Sequence, residues 1–140
     1  MPELPKLRQD HALLIEIVTR LSKIIARPHP PSASELLKLR HELSSTLIFH
    51  LKLEDWVLYP RLFASREEKV ARTARKFSAE MGGLAQTYTA YADKWTATTI
   101  EQDWRGYCGE TQAIIEELTC RIERENRELY PLLEAVEKAA

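Results

Sequence analysis

Apolar residues recur along the chain at alternating steps of three and four, the spacing that lays side chains along one face of an α-helix. Four stripes can be written out: Leu7, His11, Leu14, Val18, Leu21 and Ile25; Leu36, Leu43, Leu47, His50, Glu54 and Val57; Val70, Ala74, Phe77, Met81, Leu84, Tyr88, Tyr91 and Trp95; and Ile114, Leu118, Arg121, Glu125, Leu129 and Leu132. Pro5 suits a first helical turn, where its missing N–H costs nothing, and Pro28-His29-Pro30-Pro31 must end the helix that began there. Ser32 with Glu35, Ser65 with Glu68 and Thr98 with Glu101 have capping-box spacing. The pattern predicts helices at about 5–27, 34–63, 66–96 and 99–137. Such helices pack most simply as an antiparallel up-down-up-down four-helix bundle, an all-α fold in a single domain over 1–140. Gly82 and Gly83 each disfavour the third helix by about 1 kcal/mol relative to Ala and point to close helix packing, a local distortion or space beside the site, with packing favoured.

Five residues break the apolar stripes: His11, His50, Glu54, Arg121 and Glu125. Two carboxylates facing a core are unfavourable by several kcal/mol each unless protonated, salt-bridged or bound to a cation. His50 and Glu54 are four apart, so imidazole and carboxylate converge on one helix face and can share a metal ion. The chain also repeats weakly. His50-Leu-Lys-Leu-Glu54-Asp-Trp-Val-Leu58-Tyr59-Pro60 aligns with Arg121-Ile-Glu-Arg-Glu125-Asn-Arg-Glu-Leu129-Tyr130-Pro131 at an offset of seventy-one residues. The same shift carries His11 to Gly82, beside Met81, which implies an approximate internal two-fold.

With 140 residues, 44% of them hydrophobic and 29% charged, one core suffices without disulfide or metal. A net charge of -1, from 20 Lys and Arg against 21 Asp and Glu, provides no broad positive field for nucleic acid or anionic lipid. The start of the chain lacks a signal-peptide pattern and no apolar run reaches the ~18 residues of a membrane span, so a cytoplasmic protein is expected. Cys108 and Cys120, twelve apart, lack Cys-x-x-Cys spacing and read as reduced thiols. The histidines all lie in the first fifty residues, at 11, 29, 41 and 50, so any His-rich site must be lopsided. His41 is half a turn out of phase with His50 and points away from it, and His29 has no visible partner. Trp56, Trp104 and Tyr107 fall off the stripes and offer a contact for a homodimer or another protein, while Met81, Tyr88, Tyr91 and Trp95 read most simply as core, with Tyr88 or Tyr91 also able to lend a hydroxyl to a buried network.

The run Leu7-Arg-Gln-Asp10-His11-x-x-Leu14, the run His50-x-x-x-Glu54 ending in Leu58-Tyr59-Pro60, and Glu125 ending in Leu129-Tyr130-Pro131 together resemble the hemerythrin-like (HHE cation-binding) family over essentially the whole chain. The resemblance implies a four-helix bundle around two irons, bridged by carboxylates of the second and fourth helices and capped by histidines from all four. It further implies oxygen or nitric oxide binding or sensing, iron sensing, or iron-centre repair.

Two positions depart from that pattern. The third-helix histidine, which usually follows a Glu, corresponds to Met81 after Glu80, and the fourth-helix histidine corresponds to Arg121. Arginine has no lone pair to give a cation, and a thioether is soft for iron or zinc among carboxylates and imidazoles. The remaining set, His11, His50, Glu54 and Glu125, then resembles the ligands of one metal, iron or zinc, with the Arg121 guanidinium in the second metal position. The expected function is a cation-binding or sensory module rather than an enzyme: ferritin-like di-iron oxidases use Glu-x-x-His, and no histidine here has a Glu three residues before it. The alternative is a metal-free scaffold for protein contact, with Arg121, Glu54, Glu125 and one protonated histidine forming a neutral network. A divalent ion with neutral histidines would instead leave these residues at +1, balanced by hydroxide or another anion, so charge does not choose.

Overall fold

Pro5 does lie in the first turn of the first helix, α1 (Leu4–Ile25), and the proline-rich loop after it turns the chain back. The computed structural model describes residues 2–139. Its second rod is α2 (Ala33–Leu53), a π-helical turn at Glu54–Leu58 and α3 (Tyr59–Phe63). The third is α4 (Glu68–Met81) followed by α5 (Leu84–Lys94). A short α6 (Ala97–Gln102) leads into the fourth rod, α7 (Trp104–Arg124), a second π-turn at Glu125–Leu129 and α8 (Tyr130–Ala139). The fold is all-α, a bundle of four long helical rods.

Three details differ from the expected elements. The third rod is broken: α4 stops at Met81, and Gly82 and Gly83 are exposed rather than packed against a neighbour. A Cβ on Gly82 would stand 2.4 Å from the Ser78 carbonyl oxygen, so only glycine fits this ending. The fourth rod begins with its own cap, Asp103, whose carboxylate accepts from Gly106 N–H at 2.9 Å, after α6 is capped by a Thr96–Thr99 box rather than by Thr98 with Glu101. Ser32 accepts from Glu35 N–H as expected, whereas Ser65 binds Glu67 N–H and α4 starts without a side-chain cap.

The two π-turns matter most for the site. Tyr59 N–H donates to Glu54 O and Tyr130 N–H to Glu125 O, five residues back. Pro60 and Pro131 follow directly, and neither has an N–H for the ordinary bond one turn earlier. The helix accommodates this loss by widening just before each proline. The widening shifts the inward register by one residue. Val57 and Leu132, expected inward, are only half-buried, while Leu58, Tyr59 and Leu62 and, in the repeat, Leu129, Tyr130 and Leu133 are buried.

Two apolar clusters form the core. One gathers Leu14, Leu21, Leu47, Tyr88 and Leu118 with their neighbours; the other gathers Leu7, Leu58, Phe77, Leu129 and Leu133. In the first, second and fourth rods the buried charged and imidazole side chains, Asp10, His11, His50, Glu54, Arg121 and Glu125, fall at the boundary between the two. Tyr107 is fully buried in the first cluster, and Trp104 is half-buried with its indole N–H on the Arg27 carbonyl at 3.0 Å, so neither is a free contact surface. Trp56, 71% exposed, is. Cys108 and Cys120 are free thiols, and His29 and His41 are exposed. No helix among the described residues is long and apolar enough to cross a membrane.

Candidate metal centre

His11 from α1, His50 at the end of α2, and Glu54 and Glu125 at the start of the π-turns meet at the middle of the bundle. All four are at most 2% exposed, and one ligand atom from each lies within 4.8 Å of the other three. The outer edge of each imidazole is held. His11 Nδ1–H donates to Asn126 Oδ1 at 2.7 Å, and His50 Nδ1–H donates to Asp10 Oδ2 at 3.0 Å. With both Nδ1 protons so committed, both Nε2 atoms turn inward and stand 3.1 Å apart. Glu54 Oε1 lies 3.0 Å from His50 Nε2, and Glu125 Oε1 lies 3.2 Å from His11 Nε2.

Neighbouring ligands on a tetrahedral ion with bonds of ~2.0–2.1 Å are separated by about 3.3–3.4 Å, so these three spacings fit one small cation after slight relaxation. Glu125 Oε1 is buried without a hydrogen-bond donor, an arrangement that calls for a cation or a proton. The other carboxylate oxygens are satisfied. Tyr130 O–H donates to Glu54 Oε2 and Tyr59 O–H to Glu125 Oε2, both at 2.7 Å, a reciprocal pair across the internal two-fold. Tyr88 and Tyr91 are buried core residues, the simpler of the two readings, and their hydroxyls bond Ser44 and Thr111 rather than the carboxylates.

The second half of the site is filled by Arg121. Its Nε reaches Glu125 Oε2 at 3.3 Å, Nη2 reaches Glu54 Oε1 at 3.2 Å and Asp55 Oδ1 at 2.6 Å, and Nη1 reaches the Met81 carbonyl at 3.3 Å. Met81 therefore contributes its backbone to the site. Ending α4 at Met81 leaves that carbonyl among the last of the helix, which lack intrahelical partners. The residues fit one ion beside the histidines and do not fit a second where the guanidinium stands.

Without an ion, protons must do the balancing. Burial disfavours the charged form of His50, but the Glu54 carboxylate, then Asp10 and Glu125, outweigh it and raise its pKa above the ordinary value. Burial likewise opposes ionisation of Glu54, yet His50, Arg121 and His11 hold its carboxyl down at about 2. Glu125 is pushed up, first by burial and then by the Glu54 charge, with His11 and Arg121 only partly offsetting them. Burial next to the two carboxylates raises Tyr130 and Tyr59 well above the usual phenol range, so both remain donors.

The model of the hemerythrin HHE cation-binding domain matches residues 4–133. The chain belongs to this family. No match was found among curated proteins or among solved structures. Against the HHE pattern expected from the resemblance, the chain places His11, His50, Glu54 and Glu125 together, and Arg121 and the Met81 carbonyl stand on the opposite side. Asp10, Asn126, Asp55, Tyr59 and Tyr130 also belong to the site and were missed as such in the sequence. A signal for four of the five was available: Asp55 with Asn126 and Tyr59 with Tyr130 are equivalent positions of the seventy-one-residue repeat.

Proposed function

We propose that this HHE domain is a binding or sensory module holding one divalent metal ion per chain, iron or zinc, through His11, His50, Glu54 and Glu125. Its output is metal occupancy or the binding of a small diatomic ligand, and it catalyses no reaction of its own. The observation that carries this reading is the inward pair of imidazole Nε2 atoms, each fixed by an outward Nδ1–H bond, beside the undonated Glu125 Oε1.

The charge of this arrangement closes because Asp55 joins the network. The site residues with a divalent ion and neutral histidines would carry one excess positive charge; the Asp55 carboxylate cancels it without hydroxide or another anion. Asp10 is already paired with Lys6 and changes nothing in this count. The bound ion would supply Lewis acidity and, if iron, redox chemistry. The chain's own residues hold the imidazoles in one tautomer, keep the second carboxylate oxygens occupied and exclude water.

A second reading is a metal-free scaffold in which His50 carries a proton and Arg121 bridges the glutamates, with exposed Trp56 available to a protein partner. The raised pKa values of His50 and Glu125 favour it, because a proton on Glu125 offsets the charge that Asp55 adds. Metal analysis of protein made in iron- and zinc-supplemented medium, with an absorbance scan, separates the two. About one ion per chain without oxo-bridged di-iron bands is expected. None would leave the scaffold, and two with such bands would overturn both.

A further inference from the structure

Each core glutamate is followed by a different residue: Asp55 after Glu54 and Asn126 after Glu125, at equivalent positions of the repeat. Both lie in π-turns, which rotate less per residue than an α-helix and so bring the residue after the glutamate closer to its direction. Each side chain then reaches a cationic or cation-binding group on another rod. Asn126 Oδ1 accepts from His11 Nδ1–H at 2.7 Å, and Asp55 Oδ1 accepts from Arg121 Nη2–H at 2.6 Å.

The two acceptors suit different partners. The neutral amide oxygen holds an imidazole by its Nδ1–H and leaves the Nε2 lone pair facing inward, adding no charge. The carboxylate adds a full negative charge and gives the charge-assisted bond that suits a permanent guanidinium. The buried position of Arg121, 2% exposed and bonded through all three nitrogens, depends on having an acceptor for every direction of its fork.

We infer that the residue after each core glutamate decides which cation the opposite half of the site holds: Asn126 positions His11 for a metal ion, and Asp55 clamps Arg121 in place of one. Both are positioning residues. Orienting bonds of this kind commonly govern metal affinity by 10–100-fold. The Asn126 limb rests on the metal-binding reading above, whereas the Asp55 limb concerns the metal-free protein and stands apart from it.

The test uses the full chain, stripped with chelator and titrated with Co²⁺ as the probe, together with melts of the metal-free proteins. The parent is expected to take up one Co²⁺ with a visible d–d spectrum. Asn126→Ala should melt near the parent, bind Co²⁺ about 10–100-fold more weakly and show an altered spectrum. Asn126→Asp, which keeps an acceptor oxygen there, should restore affinity to within a few-fold. Asp55→Ala should keep the parent's spectral shape but lower the metal-free melting temperature by about 5 °C or more. An Asn126→Ala protein with the parent's affinity and spectrum overturns the first limb, and an Asp55→Ala protein that melts with the parent overturns the second. A parent that takes up no Co²⁺ overturns the metal reading itself and the Asn126 limb with it, leaving the Asp55 limb to be decided by the melts.

Discussion

The two halves of the bundle share a frame but differ in what they hold. The seventy-one-residue shift superimposes Glu54 on Glu125 and Tyr59 on Tyr130, and those pairs keep equivalent roles: each tyrosine donates to the other half's glutamate at 2.7 Å. The same shift pairs His50 with Arg121, Asp10 with Met81 and Asn126 with Asp55. Here the chemistry diverges while the directions persist. His50 donates to the Asp10 side chain, and Arg121 donates to the Met81 carbonyl; Asn126 accepts from His11, and Asp55 accepts from Arg121. One guanidinium thus supplies the positive charge of the second half from a covalent tether, and a diffusible ion is left to the first half alone. Neutrality is preserved in both because two carboxylates cannot stay ionised and unpaired in a core.

The largest expected effect comes from removing the tethered cation. Arg121→His leaves Glu54, Glu125 and Asp55 without their guanidinium, and breaking a buried pair of this kind typically costs ~3–5 kcal/mol, about 10 °C in melting temperature for a chain this size. Adding Met81→His should make the halves alike: the double mutant is expected to take up two irons per chain, with iron rescuing its melt because a ligand that binds only the folded state stabilises it. Iron content and thermal scans read both. A double mutant that folds but holds no more iron than the parent would break the equivalence of the halves.

The mirror experiment strikes the metal half. His50→Ala removes one of two imidazoles and leaves a carboxylate-dominated site, so uptake of iron or zinc should fall below detection at micromolar protein. The fold should survive, because Arg121 still spans Glu54 and Glu125. Unchanged stoichiometry and affinity would place the ligands elsewhere.

Acidity separates the ion from the protons that replace it. In the metal-free protein the stabilisation from His50, whose pKa is raised, is fully present below its unfolded value of 6.5 and is lost as pH rises through the folded value. Glu125, also raised, acts in the same direction. The Glu54 contribution is present above 4.5 and is lost as pH falls toward about 2. Melting temperature should therefore peak near 4.5, where the Glu54 contribution is complete and the Glu125 contribution begins to be lost, and decline on both sides, with the His50 loss added above 6.5. With metal bound, the decline on the alkaline side should vanish, since the ion takes the place of the proton. A metal-free melt that rises steadily to pH 8 would contradict this picture.

Much of this architecture was legible because the apolar stripes record which side of each helix faces the core. His11, His50, Glu54, Arg121 and Glu125 stood out as polar residues on those stripes, and all five are buried together. The strict 3.6-residue period failed at Val57 and Leu132, where Pro60 and Pro131 widen the turn before them. It also hid Asp55 and Asn126, which a regular helix would turn away from the site. The stripe runs on through the paired glycines, which favours packing over a local distortion, yet the distortion is what the structure has: they end α4 and free the Met81 carbonyl. The tyrosines of the third stripe, Tyr88 and Tyr91, are core, and the hydroxyls that serve the carboxylates come from the repeated Leu-Tyr-Pro, at Tyr59 and Tyr130.

The smallest expected effect probes how equal the shared parts are. Tyr59→Phe and Tyr130→Phe each remove one 2.7 Å donor from a core carboxylate, yet their consequences should differ. Glu54 is held ionised, and Tyr130 is the donor to its Oε2. A hydrogen bond to a charged group contributes ~1.5–3 kcal/mol, so Tyr130→Phe should destabilise the metal-free protein by about that amount. Glu125 Oε2 keeps Arg121 Nε at 3.3 Å when Tyr59 is lost, and the raised pKa of Glu125 reduces the charge to be solvated. Tyr59→Phe should then cost only ~0.5–1.5 kcal/mol, in the range of a bond to a neutral group. Tyr130 also stacks on His11 with ring centroids 5.1 Å apart, a contact that phenylalanine preserves, so the difference reports on the hydroxyls alone. Denaturant unfolding of the two metal-free variants reads it directly. Equal losses would mean that the two carboxylates carry the same charge, and that the tethered and diffusible cations leave no imprint on the frame they share.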